Sequence, residues 1–284
     1  MEGITKPLTI ALAGDTHLSS MDTRDDHNHR NYMWQRRLWF PFAPDILDEF
    51  TTLPTRKDID FSVLLGDIMD FPSAANLEQV EGYLRRKEFG PYLYVQGNHD
   101  DHFPCDVETQ ETRNGYIAAI DALATDTTGK YPEITPEEAK ILNGCFHAVD
   151  LGEVILAGGH NLTAAGKEAI ARGLSALKNQ PKPVILCVHD PLSAQTLAGP
   201  IKQAWGSNVT PKINTDPVEI EVYSEGSKVA AVFAGHIHFF HNDITDGGIP
   251  QIVVSSQEKK IRTGSEAEQD KFWSGLGIVK ILPL

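Results

Sequence analysis

Cysteine is scarce in this 284-residue chain: Cys105, Cys145 and Cys187 are widely spaced and odd in number. They form neither a CxxC metal motif nor a complete disulfide framework, so a reducing, cytoplasmic setting is expected. Basic residues are also in short supply, 25 Lys and Arg against 39 Asp and Glu, for a formal charge of −14. That field favours solubility and works against unspecific attraction to nucleic acid or anionic membranes. No apolar run approaches the roughly 20 residues that a membrane helix needs, so a spanning segment is excluded. The run Leu8 to Ala13 lacks a basic flank, is short for a secretory signal, and leads into Gly14-Asp15. It reads as the first β-strand, and the sequons at Asn161 and Asn208 carry no expectation of glycosylation. Internal repeats, heptads, low-complexity segments and a convincing linker are also missing. With 41% apolar residues, enough for a substantial core, the expectation is a single domain over 1–284.

Short aliphatic or β-branched runs recur at Leu8 to Ala13, Phe61 to Leu65, Tyr92 to Val95, Val154 to Ala157, Val184 to Val188, Val229 to Phe233 and Ile252 to Val254. These read as buried strands. Between them, Trp34 to Phe50, Leu77 to Lys87 and Ala164 to Lys178 have helical spacing, and the alternation predicts an α/β fold. The polar segment 102–143 reads as a cap or lid insertion, with short helices at Tyr116 to Leu123 and Ala139 to Leu142 joined by a loop around Thr125 to Pro136. Pro200 to Pro217 reads as an irregular loop, in which Trp205 either packs on the surface or contacts substrate.

Polar clusters sit directly after five of these runs: Gly14-Asp15-Thr16-His17, Gly66-Asp67-Ile68-Met69-Asp70, Gly97-Asn98-His99-Asp100, His189-Asp190-Pro191 and Gly235-His236-Ile237-His238. In α/β sheets the carboxyl ends of the strands form the ligand crevice, so residues distant in sequence meet there. Residues two apart in a strand share a face, which would bring Asp15 beside His17 and His236 beside His238. A glycine before a cluster allows a sharp turn or a close backbone approach. Any one cluster is ordinary turn chemistry. Together they supply carboxylates, imidazoles and an amide oxygen, a nitrogen and oxygen donor set suited to zinc, manganese or iron.

In order, these motifs resemble those of the calcineurin-like metallophosphoesterase superfamily, which run DxH, GDxxD, GNHD or GNHE, an isolated H, and GHxH. The resemblance spans most of the chain, from Asp15 to His238. It implies a four-layer α/β/β/α sandwich with two metal ions at one edge of the paired sheets. Asp15, His17, Asp67 and His238 would hold one ion, and Asp67 would bridge to a second held by Asn98, His189 and His236. A water activated by the metal pair would be the nucleophile. His99 would face the phosphate and protonate the leaving oxygen or stabilise its charge, and Asp100 would orient the His99 ring. Asp70 is either an acceptor for a ligand histidine or a carboxylate at a helix N-terminus. His27, His29 and Arg30 lie in a loop that either is solvated or reaches substrate. His160 stands in a similar position, and His102, His147 and His241 have no partner pattern.

The resemblance implies a hydrolase for a small phosphate ester. The GNHD form is similar to that of cyclic-nucleotide phosphodiesterases and DNA-repair nucleases, which favours a diester. The second motif continues Asp70-Phe71-Pro72, a departure from the GDxxDRG of serine/threonine phosphatases. A nuclease would need a basic groove. Arg36-Arg37, Arg85-Arg86-Lys87 and Lys259-Lys260 with Arg262 are the candidates, although ordinary solvated surface accounts for them. A non-catalytic scaffold would have no need to fill every ligand position, as this chain does.

Overall fold

The central strands of each sheet are buried on both sides, and in the first of them the residues alternate between two different cores. In β1 (Leu8–Ala13), Leu8, Ile10 and Leu12 face one cluster while Ala11 and Ala13 face another. This is the period-two pattern of a strand sandwiched between layers. A computed structural model describes residues 4–20, 22–25, 27–101, 110–139, 146–205, 215–254, 256 and 276–283. After β1 come α1 (His27–Trp39), α2 (Ala43–Arg56), β2 (Phe61–Leu65), α3 (Ala74–Leu84), β3 (Tyr92–Val95), the one-turn α4 (Asn98–Asp101), α5 (Gln110–Asp121) and β4 (Thr125–Asp126). The second half comprises β5 (Phe146–Asp150), β6 (Ile155–Gly159), α6 (Ala164–Leu177), β7 (Val184–Val188), α7 (Gln195–Trp205), α8 (Pro217–Val222), β8 (Val229–Ala234), β9 (His241–Ile244), β10 (Pro250–Val253) and β11 (Leu276–Ile281).

Two sheets result, ordered β11-β1-β2-β3-β4 and β5-β6-β7-β8-β10-β9. Strands β1, β2 and β3 run parallel, as do β6, β7, β8 and β10, while β4, β5, β9 and β11 pair antiparallel at the edges. Between the sheets, Ile10, Leu12, Val63, Leu65 and Val95 meet Leu156, Ile185, Cys187 and Phe233. The outer face of the first sheet, with Ala11, Leu64 and Tyr94, packs on Leu47 and Phe50 of α2, Val80 of α3 and Ile120 of α5. The second sheet's outer face, with Ile155, Leu186 and Val232, packs on Ile170 and Leu174 of α6 and on α7 and α8. Three apolar layers therefore separate four layers of secondary structure, the α/β/β/α sandwich. Each fully buried Leu, Ile or Phe contributes about 1.5–3 kcal/mol.

Helix starts follow capping chemistry: the side chains of Ser73, Thr163 and Asp216 accept from the N–H groups of Asn76, Gly166 and Val218. The single helical stretch expected from Trp34 to Phe50 is instead two helices, broken at Phe40–Phe42 around Pro41, since proline removes a donor and restricts the residue before it. Within 102–143, α5 and β4 join the first sheet and its helical layer, and a 3-10 turn covers Glu137–Ala139. His102, Cys105 and Cys145, with most of the expected helix at Ala139 to Leu142, lie outside the described residues. Among the described residues, no helix is long and apolar enough to cross a membrane.

Candidate metal centre

Five polar residues beyond the carboxyl ends of β1, β2 and β8 have left-handed backbone: Asp15, His17, Asp67, His236 and His238, with φ of 52°, 50°, 52°, 73° and 60°. Such conformations cost non-glycine residues on the order of 1–3 kcal/mol each and persist where surrounding bonds impose them. Here the Asp15 N–H donates to the Gly66 carbonyl and that of His17 to the Asp67 carbonyl, both at 2.9 Å. The strand-face expectation for Asp15 with His17 and for His236 with His238 is therefore corrected: neither pair lies in a strand, and His236 and His238 join different groups.

One group consists of Asp15, His17, Asp67 and His238, the other of Asp67, His189 and His236; within each, one ligand atom per residue lies within 4.8 Å of the others. Asp67 belongs to both. The Nε2 atoms of His17 and His238 are 3.1 Å apart, as are His236 Nδ1 and His189 Nε2. The His189 Nδ1–H donates to the Leu65 carbonyl at 2.7 Å, which turns Nε2 toward Asp67 Oδ2 at 3.3 Å. The His236 N–H donates to the Asp15 carboxylate at 2.9 and 3.0 Å, joining the two sheets at this edge. Asn98 Oδ1 is buried without a hydrogen-bond partner, and its neighbour His99 donates its backbone N–H to Asp67 Oδ1 at 2.8 Å. Ring nitrogens converging in pairs on a shared carboxylate, beside an orphaned amide oxygen, fit cations better than they fit one another.

The His99 ring meets Asp70, whose Oδ1 lies 2.7 Å from His99 Nδ1 and 3.3 Å from His17 Nδ1. This corrects the role expected of Asp100. The Asp100 carboxylate instead accepts the backbone N–H groups of Asp67, Gly97, Ile68 and Met69 at 2.8, 2.8, 3.1 and 3.2 Å, fastening the loops after β2 and β3 together. Asp70 is thus the acceptor for both rings, and Ser73 is the helix cap. Arg36 Nε donates to Asp70 Oδ2, and Phe40 stacks on His17 at 4.1 Å. Neither residue was singled out from the sequence as part of the site. His29, Met33 and Arg36 form the buried face of α1, and Phe40 continues its 3.6-residue spacing, but the mixed polarity of this face hides it from an apolar periodicity.

Burial pushes the Asp15 carboxyl up to about 6 and the His17 and His236 imidazoles down to about 3 and about 4. Burial also works against charge on Asp67 and His189, but their mutual attraction outweighs it. Asp67 is held well below the usual carboxylate range and His189 is raised to about 10. Asp100 rises to about 7 through burial and the charge of Asp67. Since His189 is protonated below its raised value and an imidazole must lose its extra proton to ligate a metal, metal uptake through His189 at neutral pH should release about one proton per chain and tighten as pH rises. Calorimetric titration in two buffers of different ionisation enthalpy measures this; an uptake heat independent of buffer contradicts it.

Glycine is required where the loops touch. A Cβ on Gly97 would lie 2.2 Å from Asp67 Oδ1 and 2.5 Å from Asp67 N. Gly97→Ala should cost about 2–3 kcal/mol, read as a Tm drop of roughly 4–12 °C, and should weaken metal binding by displacing the shared carboxylate. An unchanged Tm with full metal content counts against this packing.

The remaining sequence candidates fall elsewhere. His147 Nδ1 lies 2.9 Å from Glu133, and His241 Nε2 lies 3.2 Å from Asp243. His27 Nδ1 is 3.4 Å from the Asn31 side chain, His29 is buried in α1, and Arg30 is half-buried. Trp205 ends α7 rather than lying in an irregular loop. Arg85 pairs with Glu81 and Arg86 with Asp48, so these two cations are already met by carboxylates. Lys259, Lys260 and Arg262 lie outside the described residues.

The family model for calcineurin-like phosphoesterases matches residues 8–240, which contain every residue of the two groups. The chain belongs to this family. Among solved structures, this phosphoesterase resembles purple acid phosphatase PPD1 from yellow lupin (Lupinus luteus), with a TM-score of 0.55 and 15% identity. That match covers 93% of this chain and 47% of the lupin protein, about half its length, and is a likeness of fold. A dimetal phosphatase from Danio rerio aligns with a TM-score of 0.49 and 13% identity over 88% of this chain and 87% of that one. Phosphopantetheinyl hydrolase from Mycobacterium tuberculosis aligns with a TM-score of 0.45 and 16% identity over 95% of each. A search of curated protein sequences finds no match.

Proposed function

We propose that this phosphoesterase hydrolyses a small phosphodiester at two metal ions. The observation that carries this reading is the Asp67 carboxylate, common to two imidazole and carboxylate groups beside the His99–Asp70 pair. Asp15, His17, Asp67 and His238 would hold one ion, and Asp67, Asn98, His189 and His236 the other. The nitrogen and oxygen donors suit manganese, iron or zinc. Two ions there would supply positive charge that acidifies a water and offsets the charge on the phosphoryl oxygens.

The protein's own groups do the rest. Asp70 accepts the His99 Nδ1–H and fixes the ring, so that the doubly protonated imidazolium, facing this carboxylate, can give its Nε2 proton to the leaving oxygen and remain as the neutral Nδ1–H ring. The His99 side chain is 21% exposed, open to a substrate, and its ring packs on Phe71 at 4.7 Å. Arg36 is spent on Asp70, so its guanidinium is not directed at the second negative charge of a monoester. That, with the GNHD form of the third motif, favours a diester. The acidic total and the pairing of Arg85 and Arg86 favour a small substrate over a nucleic acid.

Manganese-loaded protein should cleave bis-p-nitrophenyl phosphate with a kcat/KM at least about tenfold above that for p-nitrophenyl phosphate, roughly 1.4 kcal/mol of discrimination. A preference for the monoester overturns the diester assignment and leaves the two-metal reading standing.

A further inference from the structure

Beyond the metal groups, the loop between β6 and α6 carries two buried polar side chains, His160 at 3% and Asn161 at 5% exposure. The His160 Nδ1–H donates to the Gln96 carbonyl at 2.9 Å, and Nε2 lies 3.1 Å from Asp101 Oδ2. Gln96 and Asp101 flank Gly97-Asn98-His99-Asp100 on either side, so one imidazole spans the segment that bears Asn98. Asn161 grips a different strand end. Its Oδ1 accepts the N–H groups of His189 and Asp190 at 3.1 and 2.9 Å, and its Nδ2 donates to the Asp190 carbonyl at 2.6 Å.

The grip is mounted rigidly. Thr163 caps α6 by accepting the Gly166 N–H at 3.0 Å, and a Cβ on Gly166 would lie 1.8 Å from the His160 carbonyl oxygen. Helix and loop are in direct contact there, and α6 is anchored in the core by Ile170 and Leu174. By contrast, the side chains of Asp15 and His17, in the first group, bond to His236, Asp70, His238 and Arg36, and their backbone N–H groups to the Gly66 and Asp67 carbonyls, none of them in this loop.

We infer that His160 and Asn161 are positioning residues for the second metal site alone, setting its affinity relative to the first by clamping the segments that carry Asn98 and His189. The inference rests on the two-metal reading above. Residues that hold metal ligands in place typically account for 10–100-fold in metal affinity.

The test is titration of metal-stripped protein with Mn(II), followed by calorimetry and by electron paramagnetic resonance, which distinguishes isolated from coupled ions. Wild type should bind two equivalents and give a coupled spectrum. His160→Ala and Asn161→Ala should keep the first equivalent within about threefold and weaken the second by about 10–100-fold, with isolated-ion spectra persisting past one equivalent. Asn161→Asp, which keeps the acceptor for two N–H groups but cannot donate to the Asp190 carbonyl, should fall between; it decides the matter should the alanine variants not fold. Equal weakening of both equivalents, or of neither, overturns the inference while leaving the two-metal reading intact. Wild-type protein that binds fewer than two ions removes both.

Discussion

Asp67→Asn is expected to lower kcat/KM for any phosphate ester by roughly 10⁴-fold, a loss of about 5 kcal/mol of transition-state stabilisation. Asp67 is the residue common to the two groups, with Oδ2 at 3.3 Å from His189 Nε2 and 3.7 Å from His17 Nε2 and Oδ1 accepting the His99 N–H at 2.8 Å. Asparagine matches its shape, so the sandwich should persist. It lacks the negative charge, however, and its amide group turns donors toward atoms that a carboxylate satisfies as an acceptor. Metal content should fall below two ions per chain, measured by elemental analysis beside steady-state kinetics. A variant that retains two tightly bound ions and more than about a tenth of wild-type activity, a cost of under roughly 1.4 kcal/mol, would show that the carboxylate is not shared.

His99→Ala should reduce kcat by about 10²–10⁴-fold on a diester with an alkoxide leaving group, and by far less with p-nitrophenolate, which departs without a proton. Metal content should be unchanged, because the part of His99 that touches Asp67 is its backbone N–H, which alanine keeps. Asp70→Asn should follow the same leaving-group trend with a smaller loss, about 10–100-fold, since the variant loosens His99, His17 and Arg36 together. An equal loss on both leaving groups would make His99 a phosphate-binding residue instead of a proton donor. No loss on either would remove it from the chemistry.

The sequence reading recovered most of the buried strands, because a strand packed on both faces leaves a short aliphatic run such as Phe61 to Leu65 or Val184 to Val188. Edge strands were harder to see: β4 has only two residues, and β9, His-Asn-Asp-Ile, is too polar to stand out from a loop. The polar clusters after the strands were legible as motifs, and the fold brings six of their residues into contact range as two groups with Asp67 in common, plus a third formed by His17, Asp70 and His99. How they converge was not legible. Left-handed backbone at Asp15, His17, Asp67 and His236 is held by long-range hydrogen bonds of their N–H groups and has no marker in residue type. The exchange of roles between Asp70 and Asp100 has the same origin. Adjacency to His99 suggested Asp100, whereas the one-turn helix Asn98–Asp101 points Asp100 back at four backbone N–H groups and leaves the ring to Asp70 across the loop.

The most direct test of two-metal hydrolysis is the rate of bis-p-nitrophenyl phosphate cleavage by metal-stripped protein as Mn(II), Zn(II) or Fe(II) is added in measured equivalents. The expected result is no activity without metal, little with the first equivalent, a steep rise with the second, and roughly 10⁴-fold less than wild type in Asp67→Asn. Full activity in stripped protein, or a chain that binds no metal at all, would contradict it.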